Sequence, residues 1–449
     1  MKRIEKIAIR FFLLLVGANF LISENGFPQV PLDLKDALRL ARQNNLKLQQ
    51  QQESRRIAIL EERVQKANLL PTLNLSFSAD YLSEINEIDL SQTIGMMDRR
   101  VELGGHDRSE VRLSVQQPIF TGFRLQSQVD LAKDARLNEQ VKFDILSNEI
   151  YHRVYLIFYQ FQSLSKQERT LGESLKRLDV QLENVLNLFN AAQVMAFDTL
   201  QVYNQALAVR IELQDVLLAK RLTTLQIARI LDLERVRPIV EIELQPPSSN
   251  NELILDLAHL KSQALEKRPE LNSLRLAKNG AKIQQKFYRS NYFPSVFAHA
   301  NFHYAKPGLD PVNNNWMDYY SLGINLHWNL WRWRGDRNKV EEYRVEYERL
   351  SLAERELLQT IDYEIEESVE HLNFSRRELS LAQELEAQER ERYRIIAVQH
   401  REGIASTNDF VTAESDLTRA ELKTKQALIK YYISLADLKK ATGSISEDI

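Results

Sequence analysis

The chain has 449 residues, 59 Lys plus Arg against 62 Asp plus Glu, 13 glycines, 11 prolines and no cysteine. The near-zero balance gives no reason to expect a nucleic-acid partner, and the missing cysteine excludes disulfides, thiolate chemistry and an N-terminal lipidated cysteine. So little glycine and proline favours long helices over a glycine-rich α/β enzyme.

In chain order, "MKRIEKIAIR" is basic and "FFLLLVGANFLIS" is apolar. This is the order of a secretory signal, too short for a comfortable membrane-spanning helix. We assign residues 1–25 to a signal peptide, with processing near Ser23–Phe27. No other apolar run reaches about 18 residues, so no membrane-spanning helix is expected downstream. A helix is expected over 32–69.

"PTLNLSFSADYLS" (71–83) then alternates. Leu73, Leu75, Phe77, Ala79 and Tyr81 fall on one face, with Asn74, Ser76, Ser78 and Asp80 on the other. A period of two is a two-faced strand. "VRLSVQQPIF" (111–120) repeats the pattern with Val111, Leu113, Val115 and Ile119. From Phe123 to Asn190 no proline and one glycine occur, so one helix of roughly 100 Å is expected. Leu171, Leu175, Leu178, Leu182, Val185 and Phe189 recur every 3.5 residues on average, the seam of a left-handed coiled coil. A turn at 190–197 and a helix over 197–234 follow.

The second half repeats the first. "VMAFDTLQVYNQAL" (194–207) resembles "ASTNDFVTAESDLT" (405–418), and "VRLSVQQPIF" resembles "LGINLHWNLW" (322–331), both at an offset of 211. Pro71 and Pro294 match at 223. We divide the chain into a first repeat (26–236), a proline-containing linker (237–251) and a second repeat (252–449). The second half then carries a helix over 252–291, two strands, a long helix from about Gly335 to Glu402, a turn at 401–408 and a helix over 407–442. Its strands set Val296, Ala298, Ala300, Phe302 and Tyr304 against His299, Asn301 and His303. The last sets Tyr320, Leu322, Ile324, Leu326 and Trp328 against Ser321, Asn325 and His327.

Strands of about 10–12 residues cross a bilayer at a tilt, and Tyr81, Tyr304, Tyr319, Tyr320, Trp328 and Trp331 gather at their ends, where an interfacial girdle belongs. Four strands cannot close a barrel, for which about eight is the practical minimum. An oligomer is therefore implied, each copy supplying one arc of wall. The alternative is a soluble helical scaffold, a partner-binding protein with a small sheet. Phosphate loops, nucleophile elbows and His-Glu-x-x-His are absent from the sequence, so neither an enzyme nor a cofactor is expected. His299, His303 and His327 need no metal, and none is assigned.

The layout, "QPIFTG" (117–122) and "REGIASTNDFVTAESDL" (401–417) resemble the TolC-type outer-membrane efflux proteins over residues 32–443. That resemblance implies a mostly α fold with transmembrane β. The duplicated helix–strand–strand–helix chain would give four strands to a 12-stranded barrel in a homotrimer, continuous with a periplasmic α-helical barrel. It implies an exit duct in the outer membrane for efflux or type I secretion, contacting outer-membrane lipid, a periplasmic adaptor and an inner-membrane pump. It places adaptor docking at Gly403 and Ile404, and at Ala192, where the family has glycine. It places a channel gate at Asp409, with Thr412 in place of a second acid, and Asp198 as the repeat counterpart of Asp409. Asp409, Thr412, Asp416, Arg419, Lys423 and Gln426 form one polar stripe along their helix.

Overall fold

The computed structural model describes residues 31–89, 100–234, 238–247, 256–310 and 312–448. The expected leader at 1–25 and parts of the 237–251 linker lie outside them. The described residues fall into two compact units. One is drawn from Met1–Leu46, Asn148–Leu257 and Ile365–Ile449, the other from Lys47–Ser147 and Ala258–Glu364. Each takes segments from both halves of the sequence.

The second unit holds the sheet. Strands β1 (Thr72–Tyr81), β4 (Asp107–Phe120), β5 (Ser295–Lys306) and β6 (Met317–His327) pair antiparallel in the order β1-β4-β5-β6. β4 begins four residues before the alternation in the sequence becomes visible. A short hairpin, β2 (Asn86–Asp89) with β3 (Arg100–Leu103), was not legible in the sequence. The same unit takes in nearly all of α2 (Leu46–Ala67) and α5 (Leu257–Lys267) and all of α6 (Pro269–Arg289).

The first unit holds α1 (Leu34–Asn44), α4 (Ala196–Ile230) and α8 (Thr407–Ala441). The helices α3 (Arg124–Asn190) and α7 (Gly335–Arg401), of 67 residues each, contribute to both units. The 3.5-residue seam is the core here. Leu171, Leu178 and Val185 are fully buried against Val202, Ala206, Val209 and Val216 of α4, while Leu175 and Leu182 pack at its margin. Phe189, the last seam residue, is exposed. Burying a leucine side chain contributes about 1.5–3 kcal/mol, so the three closed layers stabilise this pair strongly. Leu379 and Ala382 of α7 pack likewise on Ala427 and Leu428 of α8.

Two expected helices are each broken once. The 32–69 segment divides at Asn45, whose side-chain amide donates to the Ile230 carbonyl at 2.8 Å, tying the break to the end of α4. The 252–291 segment divides at Arg268, because Pro269 has no N–H and disfavours helical geometry in the residue before it. Asn45 and Arg268 stand 223 residues apart. Arg268 is buried and satisfied by Glu270 and Glu364.

The duplication extends to backbone angles. Gly122 and Phe123 (φ 62° and 68°) correspond to Trp333 and Arg334 (49° and 64°), Ala192 (56°) to Gly403 (73°), and Asp232 (49°) to Gly443 (74°). Every pair is offset by 211. Among the described residues no helix is long and apolar enough to cross a membrane.

Candidate functional site

Two regions hold the residues singled out above: the sheet, and the turns joining α3 to α4 and α7 to α8. In the sheet, the register aligns like with like across all four strands. Leu75 pairs with Leu113, Leu113 with Phe302, and Phe302 with Tyr320. The next row is Leu73, Val115, Ala300 and Leu322. One face is therefore apolar edge to edge, because pairing partners point to the same side. It is also bare: Leu75, Phe77, Tyr320 and Leu322 are each about 70% exposed or more.

The opposite face is polar by the same register, with Ser76, Arg112, His303 and Tyr319 in one row. Arg112 Nε donates to Glu110 Oε1 at 2.9 Å. His303 Nδ1 lies 2.6 Å from the same oxygen, and its ring stacks on Tyr319 at 4.5 Å. Asn301 donates to Ser321 at 3.2 Å. Gly323 leaves room for the His299 ring, since a Cβ there would lie 2.5 Å from it. Among the described residues no three metal-capable side chains come together.

The sheet is open at both edges, β1 and β6 each having one neighbour. Its aromatic residues sit at both ends. Tyr304 stacks on Trp316 at 4.7 Å, and Tyr81 on His106 at 5.6 Å. Tyr320 shares the apolar face, while Tyr319 turns to the polar one with His303. At the helix-side end Trp328 donates to the Tyr292 carbonyl at 3.2 Å, and Trp331 packs edge-on to Trp333 at 5.8 Å.

The two turns are alike. Each long helix ends in a left-handed residue, Ala192 or Gly403. Gln193 N then donates to Leu188 O at 2.9 Å and Ile404 N to Gln399 O at 2.8 Å. This 6→1 bond satisfies a helix-end carbonyl. Ile404 projects, 76% exposed. The next helix starts on an aspartate three residues in. Asp198 accepts from Met195 N at 3.1 Å. Asp409 accepts from Ser406 N at 3.0 Å and from the Ser406 hydroxyl at 2.7 Å, while its own N–H donates to that hydroxyl at 3.1 Å. This reciprocal capping box holds the Asp409 carboxyl below the usual carboxylate range, the Ser406 hydroxyl contributing most.

Asp409 and Thr412 are exposed, and Thr412 Oγ1 donates to Asn408 O at 2.8 Å. Gln201 links α4 to α8 through Asn408 at 3.2 Å. Asp198 and Asp409 both act on His400, whose pKa is nonetheless lowered because it is half-buried. Asp416, Arg419, Lys423 and Gln426 continue the polar stripe, away from the core.

Behind the stripe lies a network not anticipated from the sequence. Glu414 is fully buried; it accepts from Ser174 at 2.7 Å, Arg177 at 3.0 Å and Thr418 at 2.8 Å. Arg177 also reaches Glu421 at 3.4 Å, and Arg390 reaches Glu421 at 2.8 Å. One arginine from α3 and one from α7 thus converge on two acids of α8. Burial raises the Glu421 pKa. The signal in the sequence was faint: Glu414 and Glu421 stand seven apart beside the apolar positions Ala413, Leu417 and Ala420.

Residues 260–444 match the family described as outer membrane efflux protein. No curated protein matches the chain. Among solved structures, the outer membrane protein VceC from Vibrio cholerae is similar at 15% identity and a TM-score of 0.73, covering 91% of this chain and 96% of that one. The Campylobacter jejuni CmeC outer membrane channel is similar at 16% identity and a TM-score of 0.73, covering 92% and 85%. A membrane protein from Pseudomonas aeruginosa is similar at 15% identity and a TM-score of 0.75, covering 91% and 90%.

Proposed function

We propose, for a chain of the outer membrane efflux protein family, that three copies together form an exit duct through the outer membrane. The family match covers most of the second half, and the 211-residue offset carries the reading into the first. The chain is a transport duct and not an enzyme, seated in the outer membrane and belonging to a tripartite export system.

The observation that carries the assembly is the sheet. Its apolar face runs uninterrupted over four strands and is covered by nothing, and both edges carry unpaired backbone groups. In hydrocarbon an unpaired N–H or C=O costs several kcal/mol, so such a sheet must close. Three copies supply twelve strands. Exposed apolar stripes on α4 (Phe197, Leu200, Tyr203, Leu207, Ile211) and on α7 (Phe374, Leu381, Leu385, Ile395, Val398) offer helix faces for the same contacts. Tyr81, Tyr304, Tyr320, Trp328 and Trp331 act as the girdle against outer-membrane lipid; Tyr319, expected among them, instead stacks on His303 on the polar face and is left out of it. Gly403, Ile404 and Ala192 meet a periplasmic adaptor linked to an inner-membrane pump, and Asp409, Thr412 and Asp198 line the gate. The repeats 26–236 and 252–449, joined by 237–251, are the unit of duplication.

The chain has no native cysteine, so Ser76→Cys with Ser321→Cys puts one thiol on each edge strand and nowhere else. A bis-maleimide applied to purified protein in detergent gives a ladder ending at three chains. Recovery of single chains alone removes the shared barrel.

A further inference from the structure

A cavity of about 210 Å³ opens where the polar face of the sheet meets the helix starts. Its walls carry Arg124, Arg332 and His327, the hydroxyls of Thr121 and Ser295, and the amides of Asn291 and Asn329. No carboxylate lines it. Asp336 stands behind it, accepting from Arg332 at 3.0 Å and from Asn291 at 2.7 Å, which fixes the Arg332 fork from the rear. Arg124 has no ion pair among the described residues and opens α3, so the positive end of that helix dipole adds to its charge.

The backbone is shaped for this. Gly122 takes φ 62°, and a Cβ on it would lie 2.6 Å from the Ser290 carbonyl. Only glycine lets the β4–α3 turn close onto the short 3-10 turn Ser290–Tyr292, which brings Ser290 and Asn291 to the cavity. On the other side the left-handed pair Trp333 and Arg334 reverses the chain just after Arg332. Ser295 and His327 face each other in register, with Ser295 Oγ donating to the His327 carbonyl at 3.2 Å.

We propose that this cavity binds a small soluble oxyanion of the phosphoryl class. Two guanidinium groups supply planar N–H forks suited to bidentate phosphate contact, and the Thr121 hydroxyl and the Asn329 amide supply donors from other directions. The polar face to which Ser295 and His327 belong makes the ligand a water-soluble one rather than a lipid headgroup. That it arrives through a lumen rests on the duct proposed above; the site itself does not, because binding is read without transport.

The test is calorimetric titration of the full chain in detergent, in phosphate-free buffer of low ionic strength, with inorganic pyrophosphate. Arg124→Gln and Arg332→Gln each weaken binding about tenfold or more. Asn329→Ala, which leaves every charge in place, weakens it a few-fold, and the distant Arg349→Gln leaves it within twofold. Unchanged melting of each variant shows that it is folded, and Arg124→Lys, which keeps the charge, recovers part of the loss. No heat from wild-type protein, or equal loss in Arg349→Gln, overturns the site. Tighter binding of monomeric dihexanoylphosphatidylglycerol than of pyrophosphate overturns the soluble ligand in favour of a lipid. None of these results bears on the cross-linking ladder, which tests the duct separately.

Discussion

Replacing Gly403 by alanine isolates backbone strain at a hairpin tip. The residue sits at φ 73°, and an added Cβ meets nothing within 4 Å, so no side-chain clash enters. What remains is the left-handed penalty for a residue with a Cβ, about 1–2 kcal/mol, less the roughly 0.4–1 kcal/mol by which alanine restricts the unfolded chain. The net is a loss of about 1 kcal/mol, or roughly fivefold in a local opening equilibrium. Ala192, at φ 56° in the matching turn, already bears that strain, so Ala192→Gly relieves it by a similar amount. Global melting is a blunt readout for a chain this long. Hydrogen exchange of the tip peptides is sharper, because the Ile404 and Gln193 amides donate the bonds that close the two turns. Gly403→Ala speeds exchange across 399–406 severalfold, and Ala192→Gly slows it across 188–195. Unchanged exchange in both variants would mean that the left-handed residues do not hold the tips, and the argument from φ would fall.

Arg177→Met leaves the Glu414 charge buried with only hydroxyl donors, so unfolding in denaturant shows a loss of about 3–5 kcal/mol; adding Glu414→Leu recovers much of it. Burial raises the folded pKa of Glu421 above its ordinary 4.5, so the folded chain binds that proton more tightly. Its contribution is then fully present below about pH 4.5 and is lost as pH rises through the folded value; Glu421→Gln flattens this slope in melts from pH 4 to 8. Leu75→Arg puts a charge on the apolar sheet face at a cost of about 2–4 kcal/mol in a bilayer, read as lost outer-membrane yield; yield equal to wild type would place that face in water. Asp409→Ala in planar bilayers lowers cation preference, and unchanged selectivity removes Asp409 from the gate.

The strands were legible because a period of two survives wherever one face is apolar and the other polar. Leu73, Leu75 and Phe77 needed no knowledge of their partners; the register, which depends on those partners, came only with the paired strands. The long helices were legible from the absence of proline, and the seam from leucines at 3.5-residue spacing. The breaks at Asn45 and Arg268 were not. Asn45 interrupts its helix by capping the end of α4, a contact nearly two hundred residues away. The buried acids at 414 and 421 were hidden for the same reason, since a glutamate beside a helical apolar face reads as solvent-facing until Arg177 is brought to it. The oxyanion cavity was hidden more deeply still, its lining drawn from three separated stretches of chain.

Glycine explains why sequence comparison of the halves sees less than the backbone does. Of the four left-handed pairs at offset 211, three have glycine in one member, and none has it in both. Gly122 answers to Trp333, Ala192 to Gly403, Asp232 to Gly443, and Phe123 to Arg334. A residue with a Cβ in that conformation costs about 1–2 kcal/mol, so the conformation persists only where flanking structure imposes it. The flanking structure is the same in both halves: helices of 67 and 35 residues whose ends fix where the chain must reverse. Turn position is therefore set by helix length and seam packing, and the turn residue is free to drift within the strain those contacts sustain. It follows that the glycine at one tip and the alanine at the other do not by themselves assign the tips different partners; the geometry they present is shared, and only the projecting side chains, such as Ile404, distinguish them.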